Sequence, residues 1–159
     1  MKRTYIRRAA ELVTCSGNKA KHGSEMKEVG IIKNGAVLIE DGRIVLVGTT
    51  EELDKEVNFH TAELIDADGQ AVLPGFVDSH THFVFGGYRA DEFGWRLQGE
   101  SYLSIMEKGG GINATVTPTR AATLEELVEV GRERLDTMLR LGVTTVEGKS
   151  GYGMDKDTE

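Results

Sequence analysis

Over the first 70 residues or so, apolar positions come in short runs broken by turn residues. Val37-Leu38-Ile39 and Ile44-Val45-Leu46-Val47 flank Glu40-Asp41-Gly42-Arg43. Asp-Gly between two apolar runs predicts a β-hairpin, because glycine readily takes the positive φ that tight hairpin turns require. A second turn is predicted at Asp66-Ala67-Asp68-Gly69, between Leu64-Ile65 and Ala71-Val72. Thr49 and Glu52 form a capping box that starts a short helix through Leu53. The polar stretch from Asn18 to Glu28 reads as a surface loop. Residues 1–70 therefore read as part of a small β-sandwich.

After residue 70 the pattern changes. Val72, Leu73, Phe76 and Val77 are apolar without strict alternation, which predicts a strand buried on both faces in a parallel sheet. Thr123 heads a capping box with Glu126, and Leu124, Leu127, Val128, Leu135, Met138 and Leu139 recur at helical spacing up to Gly142. That apolar stripe predicts a helix packed into a core. Gly131 in its middle costs up to about 1 kcal/mol relative to alanine and allows close packing. Val143-Thr144-Thr145-Val146 is β-branched throughout and predicts the next strand. Strand, helix, strand in this order implies an α/β fold with parallel strands, the first part of a (β/α)8 TIM-like barrel over residues 71–159. A complete barrel takes roughly 250 residues, and fewer than ninety follow Val72. Residues 1–159 alone are therefore expected to leave apolar strand and helix faces uncovered and not to form a stable monomer.

The chemistry concentrates where the first of these strands ends. His80 and His82 flank Thr81, and residues at i and i+2 of a strand leave the same face with their side chains a few ångströms apart. Two such imidazoles can hold a metal ion, or they can be two histidines in ordinary hydrogen bonds. Asp78, just ahead, offers a carboxylate to orient a ligating ring. The other two of the four histidines, His22 and His60, lie in polar surroundings and read as surface residues. Arg89 follows in the loop leaving the strand. Its guanidinium can pair with a substrate carboxylate through two parallel hydrogen bonds, or with Asp91 or Glu92 as a surface ion pair. Gly109-Gly110-Gly111 lacks the spacing of a dinucleotide loop and reads as an open loop near a site. Lys149-Ser150-Gly151-Tyr152-Gly153 leaves the second strand at the same end, where its glycines can turn Tyr152 into a cavity. Tyr102 is a weaker candidate for a similar contact, with helix packing as its alternative.

Composition narrows the classes. The chain has 159 residues, 39% hydrophobic and 28% charged, with a formal net charge of -7. That balance lacks the basic footprint of a nucleic-acid-binding protein. The cluster Lys2, Arg3, Arg7, Arg8 is followed by no unbroken apolar core, so it does not read as a secretion signal. No stretch approaches the roughly 20 apolar residues of a membrane span. The single cysteine, Cys15, excludes an internal disulfide framework and reads as a packed strand residue. The expectation is a cytoplasmic protein with no membrane or nucleic-acid partner.

Pro74-Gly-Phe-Val-Asp-Ser-His-Thr-His82 resembles the first-strand signature of the metal-dependent amidohydrolase superfamily. The stretches FVFGGYRADEF (83–93), LQGESYL (97–103), GGGI (109–112) and VEGKSGYG (146–153) are similar to those of the imidazolonepropionase family. Gly148 departs from the branched apolar residue expected there, and Gly94 with Trp95 from a plainer segment. The resemblance implies a metal-dependent hydrolase that opens the cyclic amide of 4-imidazolone-5-propanoate to N-formimino-L-glutamate in histidine degradation. It also implies one divalent ion, zinc or iron, held by His80 and His82, with Arg89 on the substrate propionate and Tyr152 against the ring. Lys149 is read as non-ligating. By the same resemblance the remaining ligands and the catalytic acid–base residues lie beyond Glu159, so this portion alone is expected to be inactive. The partner is then a small-molecule substrate, with room for a homodimer. The alternatives are another amidohydrolase, such as a cytosine or guanine deaminase sharing the first motif, and a non-catalytic fragment or binding domain.

Overall fold

Both predicted turns and both capping boxes form, and they set the frame of the chain. The computed structural model describes residues 1–159, which divide into two compact units, Met1–Pro74 and Gly75–Glu159.

In the first unit β1 (Arg3–Val13) pairs antiparallel with β2 (Ile31–Glu40), and β2 with β3 (Arg43–Thr49). Asp41 and Gly42 join β2 to β3 with φ of +46° and +79°, the two left-handed residues that a type I′ hairpin turn needs. At the end of β3, the Thr49 backbone N–H donates to Glu52 Oε2 at 2.9 Å and Glu52 N–H donates to Thr49 Oγ1 at 3.3 Å. This starts the short helix α1 (Thr50–Leu53). The second turn does not make a hairpin: β4 (Glu63–Asp66) and β5 (Ala71–Val72) both run parallel to β1, completing a five-stranded mixed sheet. Where β1 bulges between Ile6 and Ala9, Arg8 has a φ of +57° and its N–H donates to Thr50 Oγ1 at 3.0 Å. The α1 threonine thus satisfies a donor that the bulge removes from the ladder.

The period of two sorts the core onto both faces of this sheet. Tyr5, Ala36 and Leu38 pack with Leu53 and Val57 on one, and Ala9, Leu12, Val37 and Ala67 cluster on the other. The unit holds one sheet, and two sheets packed face to face are not formed within it. Burial raises the Tyr5 phenol pKa, and so does the hydrogen bond that its hydroxyl donates to Asp54 Oδ1 at 2.8 Å. Cys15 is exposed, contrary to its reading as a packed strand residue. It follows the end of β1 with a φ of +48°, where strand alternation has stopped.

In the second unit β6 (Phe76–Thr81) and β7 (Val143–Gly148) are parallel neighbours. Between them come α2 (Ala90–Leu97), α3 (Tyr102–Glu107), α4 (Asn113–Ala121) and α5 (Leu124–Arg140). Ile105, Thr115, Val116 and Thr119 are buried in this stretch. β6 is not covered on both faces: Phe76 and Val77 are exposed, and the strand has β7 as its one neighbour. Residues 156–158 form a turn. No helix is long and apolar enough to cross a membrane.

α5 forms where predicted, with its Thr123–Glu126 capping box and with Gly142 after its end at a φ of +92°. Its packed face differs from the predicted stripe. Leu127, Gly131, Arg134 and Met138 are covered, whereas Leu124, Val128, Leu135 and Leu139 are exposed. Gly131 lies in the covered row, where a Cβ would stand 3.2 Å from Val84 Cγ2, so the glycine favours close approach of the helix to the chain leaving β6.

Candidate metal and substrate site

His80 lies near the carboxyl end of β6 and His82 one residue beyond it. Their ring centroids are 5.7 Å apart at an interplanar angle of 68°. Ligand bonds of about 2.0–2.1 Å place two imidazoles on one tetrahedral ion roughly 5 Å apart centre to centre, close to the spacing of this pair. A second observation agrees: His82 Nδ1 is buried without a hydrogen-bond partner, an orphan polar atom of the kind that marks a site needing another group. No cluster of three or more His, Cys, Asp or Glu side chains that could hold a metal occurs in the chain. The two histidines alone do not make a closed metal site, for which three or four ligands are usual. Asp78 does not reach an imidazole: its Oδ1 accepts the backbone N–H of His80 at 3.1 Å and so fixes the main chain.

Tyr152 joins this pair from the loop after β7. Its ring centroid is 5.0 Å from that of His82 and 4.9 Å from that of Phe85. Gly151 is what lets it approach, since a Cβ there would come 3.1 Å from His82 Cε1, with φ at +145°. The loop is clamped by Arg120 Nε, which donates to the Gly153 carbonyl at 2.7 Å. Glu159 Oε1 holds it too, accepting the N–H groups of Gly153 and Met154 at 3.0 and 2.9 Å. Lys149 pairs with Glu147, and its backbone N–H donates to the Thr81 carbonyl at 2.8 Å, tying the ends of the two strands together.

Arg89 caps α2, and the ion pair considered from sequence is formed. Its Nε and Nη2 each donate to a Glu92 carboxylate oxygen at 2.8 Å. This bond raises the Arg89 pKa, with a smaller contribution from the phenols of Tyr152 and Tyr102. Arg89 Nη1 makes no hydrogen bond, so the far edge of the guanidinium is free for a second anion. Tyr102 begins α3 half-exposed, and its hydroxyl approaches Gly111. His22 and His60 are exposed and stand outside the site.

Sequence reasoning missed the parts played by Arg134 and Phe85, and of Glu92 it saw the pairing with Arg89 but not the burial or the bond to Gly111. Arg134 Nη1 donates to the carbonyls of Phe83 and Phe85 at 3.1 and 3.0 Å, and its guanidinium lies 3.7 Å from the Phe85 ring centre. Burial lowers its pKa. It braces the chain that follows His82, with Phe85 as its stacking partner. Glu92 is buried between Arg89 and the backbone N–H of Gly111, which it accepts at 2.7 Å. A charged residue in the packed row of α5 was the visible signal for Arg134; Glu92 carried none beyond its i, i+3 spacing from Arg89.

The chain is similar to known proteins in sequence and in fold. Residues 63–130 match the Amidohydrolase family. The imidazolonepropionase of Clostridium tetani is 55% identical over 154 residues, and that of Parabacteroides distasonis is 56% identical over 154. The chain resembles the imidazolonepropionases. Each of these alignments takes in 97% of the chain but only 37% of the relative, so the chain spans little more than a third of their length. The imidazolonepropionase of a Geobacillus strain, 48% identical, aligns with the whole chain and 38% of its own length. Among solved structures, E. coli guanine deaminase superposes with a TM-score of 0.64 at 22% identity, over 92% of the chain and 29% of that protein. An amidohydrolase crystal structure gives 0.57 at 21%, over 95% and 27%. At these identities the structural likeness shows the mixed α/β amidohydrolase fold and nothing of substrate.

Proposed function

We propose that this chain is the first part of an imidazolonepropionase, the enzyme that hydrolyses the cyclic amide C–N bond of 4-imidazolone-5-propanoate to N-formimino-L-glutamate in histidine degradation. The observation that carries the reading is identity of 48–56% to imidazolonepropionases over nearly all of the chain. The relatives' greater length supports a further step: the strands and helices of residues 75–159 are the opening of a barrel whose remaining units, ligands and proton-transfer residues come from additional chain.

His80 and His82 hold one divalent ion, zinc or iron, through a nitrogen of each ring. The ion supplies Lewis-acid polarisation and an activated water. Arg89 binds the substrate propionate through the guanidinium edge that Glu92 leaves free, because a planar fork meets a carboxylate with two parallel hydrogen bonds. Tyr152, packed on His82 and Phe85, presents ring and hydroxyl to the heterocycle beside the metal ligands. Arg134 keeps His82 in register by holding the carbonyls of the residues after it.

The test is loss of imidazolone absorbance on adding the metal-loaded, full-length protein. No turnover of this substrate would overturn the proposal. Release of ammonia from guanine or cytosine instead would identify a deaminase, since ring opening of imidazolonepropanoate releases none.

A further inference from the structure

Glu92 is the one buried carboxylate of the chain, 6% exposed, and each of its bonds points to the same task. Oε2 accepts from Arg89 Nη2, and Oε1 accepts from Arg89 Nε and from the Gly111 N–H. These hydrogen bonds hold the Glu92 carboxyl below the usual carboxylate range, the Arg89 bond contributing most. Gly110 packs against the same oxygen: a Cβ at that position would lie 3.0 Å from Oε1 and 2.7 Å from Ile105 Cγ2. The carboxylate is therefore seated between the start of α2 and the glycine loop that joins α3 to α4. Being at the third position of α2 does not require this burial, since a helix-start acid can sit in solvent.

We propose that Glu92 is a positioning residue for Arg89, and through it sets affinity for the carboxylate of an anionic substrate. The inference rests on Arg89 being the substrate anchor, as proposed above. Glu92 takes the Nε/Nη2 side of the guanidinium, which fixes the plane of the group. The Nη1/Nη2 edge then stands ready for a second bidentate pair. Without Glu92 the arginine swings on a flexible stem and must be ordered by each substrate molecule. Charge alone argues the other way: removing a neighbouring carboxylate leaves the surroundings of Arg89 with a net positive charge and should tighten an anion. The two effects give opposite signs, and positioning prevails here because end-on carboxylate pairing depends on the plane of the fork, which the buried Glu92 holds through both oxygens.

Steady-state kinetics of the full-length, metal-loaded protein on 4-imidazolone-5-propanoate decide between them, using Glu92→Gln, Arg89→Ala and the double variant. Glu92→Gln should raise KM roughly 10- to 100-fold, the range of one charge-assisted hydrogen bond, with kcat within about threefold. In the Arg89→Ala background the same substitution should change KM less than about twofold, because a residue acting through Arg89 has nothing left to position. A KM that is unchanged or lowered in the wild-type background overturns the inference. So does an equal rise in both backgrounds, the signature of a purely structural carboxylate. Thermal melts check that each variant folds, and if Glu92→Gln does not, the same cycle with the charge-conserving Glu92→Asp decides by the same criteria. Arg89→Ala without effect on KM removes the anchor and the inference together, whereas a large Arg89 effect with none from Glu92 removes the inference alone.

Discussion

Replacing Gly148 with alanine sets two effects of known sign against each other. In a strand with ordinary backbone the substitution reduces the freedom of the unfolded chain and stabilises by about 0.4–1 kcal/mol. Gly148 ends β7, and a Cβ there would come 2.5 Å from Phe83 Cε1 and 3.1 Å from its Cζ. Overpacking of this kind costs about 1–3 kcal/mol, so the net expectation is destabilisation by about 1–2 kcal/mol. Urea unfolding of the full-length protein should show a lower midpoint at unchanged slope. Shortening the ring with Phe83→Leu removes the clashing atoms. In that background Gly148→Ala should be neutral or stabilising, a coupling of at least about 1 kcal/mol. A stabilising Gly148→Ala in the wild-type background, or the same effect in both, would refute the packing argument. Because Phe83 directly follows His82, bound metal should fall along with the midpoint.

Three other outcomes are expected. His80→Ala and His82→Ala in the full-length protein should each lower metal content and cut activity by about 100-fold or more while the thermal melt moves little, whereas wild-type metal content in both variants would sink the ligand assignment. Arg134→Ala leaves two carbonyls unpaired and removes the cation stacked on Phe85, costing about 3 kcal/mol in urea unfolding; Arg134→Lys should recover less than half, and full recovery would mean that charge and not the planar fork is what matters. Residues 1–159 alone should self-associate in sedimentation, since Phe76, Val77, Leu124, Val128 and Leu139 are exposed; a monodisperse monomer with well-protected amides would contradict this.

What the amino-acid sequence by itself determined is everything whose cause lies within a few residues. The Asp41-Gly42 hairpin follows from the left-handed backbone those residues tolerate. The capping boxes at Thr49 and Thr123 follow from hydroxyl and carboxylate three residues apart, and the shared direction of His80 and His82 from the two-residue period of a strand. The similarity of the 74–82 motif to the amidohydrolase superfamily and of the 146–153 motif to the imidazolonepropionases was equally visible, because it resides in residue identity. Tertiary structure alone decided which side of α5 packs, because Leu124, Val128, Leu135 and Leu139 are as apolar as the row that is covered; the covered row is the one that places Gly131 beside Val84 and Arg134 on the Phe83 and Phe85 carbonyls. It also decided that Tyr152 lies on His82, seventy positions earlier, and that Glu92, besides its i, i+3 pairing with Arg89, is buried and reaches Gly111. No local preference encodes those pairings. They arise when parallel strands bring their carboxyl ends side by side and the loops leaving them must share one space.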